Sequence, residues 1–282
     1  MCPSCTPFFS ILFTLMTIIT LLTDFGLQDG YVGIMKGVIW GIAPGVQIAD
    51  ISHAVKAQDI LQGALTLRRA VPYFPARTVH VAVVDPGVGT SRRELAGRLG
   101  GQYFVGPDNG LFSLVLEQAE AQGEVVEWVH LTRGEYWLPQ VTAVFHGRDI
   151  FAPVAAHLAN GVPLNTLGEP VYDPVRLRLP QPQREAEGWS AQVMHIDHFG
   201  NLATNLGRDQ IGPAQSIVIR IKGVEIQGIV QAYGGELPGE MVALFDSSDL
   251  LSIAIVNGNA AQMLQATVGD PVEVAITPNP SA

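Results

Sequence analysis

The chain has 282 residues, 48% of them hydrophobic and only 15% charged, with a formal net charge of −10 at pH 7. This length accommodates one large or two modest domains with substantial cores, and a charged fraction below the usual quarter predicts a homo-oligomer that covers part of its surface. The acidic balance argues against a nucleic-acid backbone as partner: phosphate binding needs clustered Lys and Arg, and the only local clusters are Arg68-Arg69 and Arg92-Arg93.

Both cysteines, Cys2 and Cys5, lie at the start of the chain. Their CxxC spacing has no second pair, so neither a zinc site nor a metal of any kind is expected. A body without cysteine fits a cytoplasmic location. Residues 7–22 are apolar but short for a membrane span, and no Lys or Arg precedes them as in a signal peptide. No membrane partner is expected, and residues 1–15 read as a dispensable extension ahead of Met16.

The first strand ends at Asp24 in TLLTDFGLQDG (20–30), followed by a Gly turn and a second acid, Asp29. A helix over 31–43 follows, in which Gly33, Gly37 and Gly41 recur every four residues. Each Gly costs about 1 kcal/mol against Ala, so close packing of this ridge on the sheet is the expected compensation. A second helix spans 57–71. The β-branched run 79–84 reads as a buried parallel strand ending at Asp85. The PGVG turn after it lets the backbone bend sharply at Gly87 and Gly89, and Arg92 returns a cation to the same place. An apolar run over 141–145 is expected as a strand delivering His146, Arg148 and Asp149, with Asp149 capping a helix that ends near Asn160-Gly161.

Residues 166–188, with Pro170, Pro174, Pro180 and Pro182, read as a linker. Short strand-like runs follow at 191–196, 216–221, 225–230, 241–245 and 272–276. The expected architecture is an α/β domain over 16–165, with a mostly parallel sheet flanked by helices, and a smaller all-β barrel or sandwich over 189–282. Four polar, Gly-containing turns (24–30, 85–92, 145–149 and 196–205) fall at apparent strand ends, where open α/β sheets bind ligands. They suggest one composite pocket.

Six segments, TDFGLQDGYVG, PGVQIADISH, VDPGVGTSRR, FVGPDNGLF, FHGRDIFAPVAAHLANG and DHFGNLATN, occur in order within residues 17–265. Together they resemble the S-adenosylmethionine hydroxide adenosyltransferases (S-adenosylmethionine hydrolases), relatives of the fluorinases and chlorinases. The resemblance implies hydrolysis of S-adenosyl-L-methionine to adenosine and L-methionine, without a cofactor. It also implies a homotrimer with sites at subunit interfaces. Asp85, Arg92 and His146 fall on the family's Asp-Arg-His positions and Asp24 on its ribose-binding acid. Phe199 and Asn201 match adenine contacts, and Ser247-Ser248 methionine-carboxylate contacts, without the arginine some relatives carry nearby. Asp29 is a candidate for the methionine ammonium; Asp197 and Asn109 are lesser candidates.

The chemistry suits these residue types. A sulfonium leaves as a neutral thioether, so no general acid is needed. The site must align a nucleophile with the C5′–S bond and assist loss of a water proton. Asp85 or His146 can accept that proton, and the residue types leave the choice open. The halogenating relatives place hydroxyl-bearing residues where this chain has Asp85 and Val88, and a carboxylate repels halide. Three rivals stay open: a halogenase, a non-catalytic S-adenosylmethionine sensor, and a metal-dependent nucleoside hydrolase using Asp24, Asp29, Asp50 and Asp85.

Overall fold

The computed structural model describes residues 17–212 and 216–277, and the chain divides into two compact units at Leu177/Arg178. The proposed extension, residues 1–15, lies outside the described residues.

The first unit runs β1 (Ile18–Thr23), α1 (Tyr31–Ile42), β2 (Gln47–Ser52), α2 (Ile60–Ala70), β3 (Val79–Val83), β4 (Glu94–Leu99), β5 (Gln102–Pro107), α3 (Ser113–Ala121), β6 (Val126–Leu131), α4 (Ala152–Ala159) and β7 (Gly168–Pro170). Its seven strands form one sheet in the order β2-β1-β3-β5-β4-β6-β7. Strand β3 is buried along its whole length, as a strand covered on both faces should be. Alternation sends Ile19, Leu21, Val79, Val81 and Val83 into one core with α1 and α4. On the other face Gly63 of α2 sits so close to Val84 that a β-carbon there would fall 3.0 Å from its side chain.

The sheet is mixed, not mostly parallel. The pairs β1–β2, β1–β3 and β3–β5 are parallel, whereas β4–β5, β4–β6 and β6–β7 are antiparallel. The cause is local. Gly100-Gly101 joins β4 to β5 with Gly100 at φ 56°, and so short a connection makes only an antiparallel hairpin.

Two further expectations change. The glycine ridge of α1 does not pack on the sheet. Val32, Met35 and Ile39 form the buried face, while Gly33, Gly37 and Gly41 are exposed and a methyl group added at any of them would touch nothing. The first half of the expected linker belongs to the first unit. There β7 pairs with β6, Val175 N donates to Asp108 (2.7 Å) and Leu177 N donates to Ser113 Oγ (2.7 Å). The prolines remove some donors, and the remaining N–H groups find partners that composition does not reveal.

The second unit contains β8 (Gln183–Glu185), β9 (Gly188–Ile196), β10 (Leu202–Gly207), α5 (Arg208–Ile211), β11 (Ser216–Ile221), β12 (Val224–Gln227), β13 (Met241–Phe245), β14 (Leu250–Ile255), α6 (Ala260–Leu264) and β15 (Pro271–Thr277). The strands form an all-antiparallel sheet in the order β12-β11-β15-β9-β10-β14-β13, with β8 added to β9. It curls until its edges approach: Val230 N, just past β12, donates to Ala243 O of β13 (2.8 Å). Val193, Leu202, Ile219, Leu251, Ile253 and Val272 fill the interior.

One buried polar group in the first unit has a measurable consequence. His80 of β3 is fully buried, with Nδ1 2.8 Å from Thr20 Oγ1, and burial pushes its pKa from 6.5 down to about 3. The unfolded chain therefore binds a proton between these values that the folded chain refuses. Stability is complete above pH 6.5 and falls as pH drops toward 3. The expected loss is about 2 kcal/mol between pH 6.5 and 5, and urea melts across that range should show a flatter dependence in His80→Gln.

Candidate active site

Strand β3 ends at Val83, and one residue, Val84, separates it from Asp85. The next residues fold into two tight turns, with Val88 N donating to Asp85 O (3.3 Å) and Thr90 N to Gly87 O (3.1 Å). Only Gly89 of the two motif glycines needs its freedom, at φ 75°. These turns bring Arg92 back onto Asp85. Arg92 Nε donates to both carboxylate oxygens at 2.9 and 3.0 Å, and Nη2 donates to Oδ2 at 2.5 Å. The side chains of Asp85 and Arg92 are only 5% and 9% exposed. Charges so buried persist when they are paired and bonded.

Arg92 has two further partners. Nη1 donates to Glu94 Oε1 at 2.9 Å, and Nη2 lies 3.0 Å from His146 Nδ1. Asp85, Arg92 and His146 therefore meet in one cluster. Glu94, the first residue of β4, is a member that sequence reasoning missed. It also lies 3.1 Å from His146 Nδ1 and 3.6 Å from His130 Nε2.

His146 does not arrive on a strand. Residues 141–145 form a loop, with Val141 and Val144 exposed, and the helix begins with a π-turn over Gly147–Phe151. Asp149 is not a cap. It is fully buried inside that turn, where its Oδ2 accepts from Thr142 N and Oγ1, both at 2.8 Å, and its Oδ1 from Arg148 Nε at 2.5 Å. Burial pulls its pKa upward, but the bonds from Arg148 and Thr142 outweigh it and hold the carboxyl below the usual range. Asp149 thus fastens the loop that aims His146.

Asp24 follows β1, whose last residue Thr23 pairs with Val83 of β3, so Asp24 and Asp85 leave adjacent strand ends. Gln58 N donates to Asp24 Oδ2 at 2.8 Å. The rings of Phe25, Tyr31 and Phe145 meet edge to face at 5.3–6.0 Å, which joins the Asp24 loop to the loop before His146. Behind Asp24, Thr23 Oγ1 lies 2.8 Å from His53 Nδ1, and Asp50 bonds Lys36 at 2.6 Å. Asp29 is exposed beside the start of α1. Asn109 is occupied structurally, donating to Val84 O at 2.8 Å. The four aspartates weighed as metal donors do not converge, and among the described residues no group of three or more His, Cys, Asp or Glu is placed to hold a metal.

In the second unit Asp197, Phe199 and Asn201 share the β9–β10 turn. Asp197 Oδ1 accepts from Phe199 N and Asn201 N, both at 2.9 Å, and Oδ2 from Asn201 Nδ2 at 2.8 Å. Phe199 is left 70% exposed. Ser247 and Ser248 sit in the β13–β14 turn, where Asp246 Oδ1 accepts from Ser248 N at 2.7 Å. The pairing of Leu202 with Ile253 and of Gly207 with Leu250 puts these two turns at opposite ends of β10 and β14. Burial, then the charges of Asp197 and Asp246, raise the hydroxyl pKa of Tyr233.

Gly89 offers a test of how the cluster is held. A β-carbon there would lie 2.2 Å from Ala143 O, and its φ is left-handed. Gly89→Ala is expected to destabilise by about 2 kcal/mol or more and to displace the loop before His146. Urea unfolding and the chemical shifts of the His146 ring check both effects.

Comparison with known proteins agrees with this architecture. Residues 19–168 match the SAM hydroxide adenosyltransferase N-terminal domain and residues 191–273 the SAM hydroxide adenosyltransferase C-terminal domain. An (R)-S-adenosyl-L-methionine hydrolase of Salinispora tropica is 42% identical over 91% of this chain and 97% of that protein. A fluorinase of an Actinoplanes species is more distant, 30% identical over 70% of this chain and 74% of its own. The crystal structure of an uncharacterized conserved protein from Thermotoga maritima superposes with a TM-score of 0.83 at 36% identity, covering 91% of this chain and all of that one. The chain belongs to the SAM hydroxide adenosyltransferase family.

Proposed function

We propose that the chain hydrolyses S-adenosyl-L-methionine to adenosine and L-methionine by in-line attack of activated water at C5′. The observation that carries this reading is the buried Asp85–Arg92 chelate with His146 on its outer nitrogen, at the strand end beside Asp24. The water oxygen bonds to C5′ as the C5′–S bond breaks. The bond pair goes to sulfur, and one water proton passes to the enzyme. The substrate carries its own activated leaving group, so no cofactor is needed.

Asp24, pre-oriented by the Gln58 amide, supports binding of the ribose diol. Phe199 offers a face for adenine, Asn201 keeps its carbonyl oxygen for the base edge, and Ser247 and Ser248 offer hydroxyls to the methionine carboxylate. The position of these two turns at opposite ends of β14 suits an extended ligand with adenine at one end and carboxylate at the other. The relatives are named for the (R) form. Because L fixes the methionine α-carbon, that descriptor belongs to the sulfonium sulfur, and we extend it to this chain.

A halide would face two carboxylates, Asp85 and Glu94, against one guanidinium, which disfavours halogenation. A sensor needs no group that can take a water proton. The working form is a cytoplasmic homotrimer with sites at its subunit interfaces. The bare Gly33–Gly37–Gly41 face of α1, flanked by exposed Ile34 and Trp40, supports burial against another copy. Among the described residues no helix is long and apolar enough to cross a membrane.

Chromatography of products from each sulfonium epimer, with and without chloride, tests the reaction. Adenosine and methionine are expected from the (R) epimer, indifferent to chloride, with kcat lowered about 10²–10⁴-fold in Asp85→Ala. 5′-Chloro-5′-deoxyadenosine would overturn it. Light scattering tests the assembly: a trimer is expected, broken by Gly37→Leu.

A further inference from the structure

The Asp-Arg-His cluster contains a conflict that Glu94 creates. A neutral imidazole has one N–H and one lone pair. His146 Nδ1 faces a donor, Arg92 Nη2 at 3.0 Å, and an acceptor, Glu94 Oε1 at 3.1 Å. It cannot satisfy both at once. When Nδ1 accepts from Arg92, the proton sits on Nε2, and His146 can only donate there. When Nδ1 carries the proton and donates it to Glu94, Nε2 holds a lone pair and can take a proton from water.

We propose that Glu94 is a positioning residue that gives His146 access to its base form, by accepting the Nδ1 proton that Arg92 would otherwise exclude. The inference rests on the hydrolytic reading above, in which water must lose a proton beside C5′.

The surroundings favour such an exchange. Moving between the two forms sacrifices one Arg92–His146 bond and makes one His146–Glu94 bond. Arg92 stays in place throughout, because its Nε and Nη2 remain on Asp85 and its Nη1 on Glu94. Glu94 is itself held. It opens β4 in register with Pro107 of β5, its side chain is only 13% exposed, and His130 flanks its second oxygen. The loop carrying His146 is fastened separately, by Asp149 to Thr142. The ring is therefore fixed while its proton has two places to go, and which nitrogen carries it is decided by the partner of the other. Without Glu94 the polar partner left to Nδ1 among the described residues is a permanent cation, Arg92, which holds the lone pair inward.

Ring-nitrogen NMR of the free protein reads the tautomer directly, with His146 assigned by loss of its signals in His146→Gln. In the wild-type protein an Nδ1–H population is expected; in Glu94→Ala only the Nε2–H form. With S-adenosyl-L-methionine, Glu94→Ala should lower kcat about 100-fold with KM changed less than threefold. Glu94→Gln preserves volume and guards against a folding defect. Its amide oxygen still accepts, so it should retain an intermediate Nδ1–H population and intermediate kcat. An unchanged tautomer pattern in both variants overturns the proposal, whatever happens to the rate. So does a changed pattern with kcat within threefold of wild type, provided the wild type turns over. If the wild type does not hydrolyse the substrate, the functional reading fails, and the NMR pattern alone decides whether Glu94 sets the His146 proton.

Discussion

A guanidinium buried to 9% exposure must be bonded at every edge, and Arg92 imposes that demand on the first unit. Its Nε and Nη2 fix Asp85, its Nη1 fixes Glu94, and its outer nitrogen meets His146. These groups come from three places: the end of β3, the start of β4 and the loop before α4. The PGVG turns are as tight as they are because Arg92 must return within seven residues to the acid it left. Gly89 then presses on Ala143, Asp149 clamps Thr142, and the Phe25–Tyr31–Phe145 rings join the remaining loop. The carboxyl edge of the sheet is thus one mechanical object built around one cation.

Parts of this design are legible in one sequence because they are local. The runs VHVAV and IITLLT announce strands covered on both faces, and each stops at an acid. The spacing of Asp85 and Arg92 suggests a turn that returns charge to charge. His146 stands out in the FHGRD turn and takes its role from motif resemblance, and the structure brings it to Arg92 by a route the sequence misrepresents. Its approach over residues 141–145 looks apolar enough for a strand, but Val144 is 78% exposed and no strand pairs there.

What escaped reading depends on register and on distant partners. Glu94 looks like an ordinary charge opening a strand. Only its contacts with Arg92 and His146 in the folded chain show that its side chain enters the cluster. The hairpin that makes the sheet mixed was signalled by Gly100-Gly101, but ELAGRL is too polar to stand out as a strand. The ridge Gly33–Gly37–Gly41 has the right period for packing, yet period says nothing of direction, and Met35 and Ile39 take the inward face. The short β7 lies in a proline-rich stretch whose partner, β6, is well upstream.

The separation in the chain between Arg92 and His146, 54 residues, orders events during synthesis. When the ribosome has delivered β1 to β5, Asp85, Arg92 and Glu94 have all been made, two carboxylates around one guanidinium. The imidazole is not yet made, and it is usable only after the Thr142–Asp149 clamp closes. In the proposed mechanism an emerging chain therefore passes through a state that has Asp85, Arg92 and Glu94 but no His146 to receive a proton. The growing polypeptide gains that proton acceptor only once the last helix of its first unit is in place.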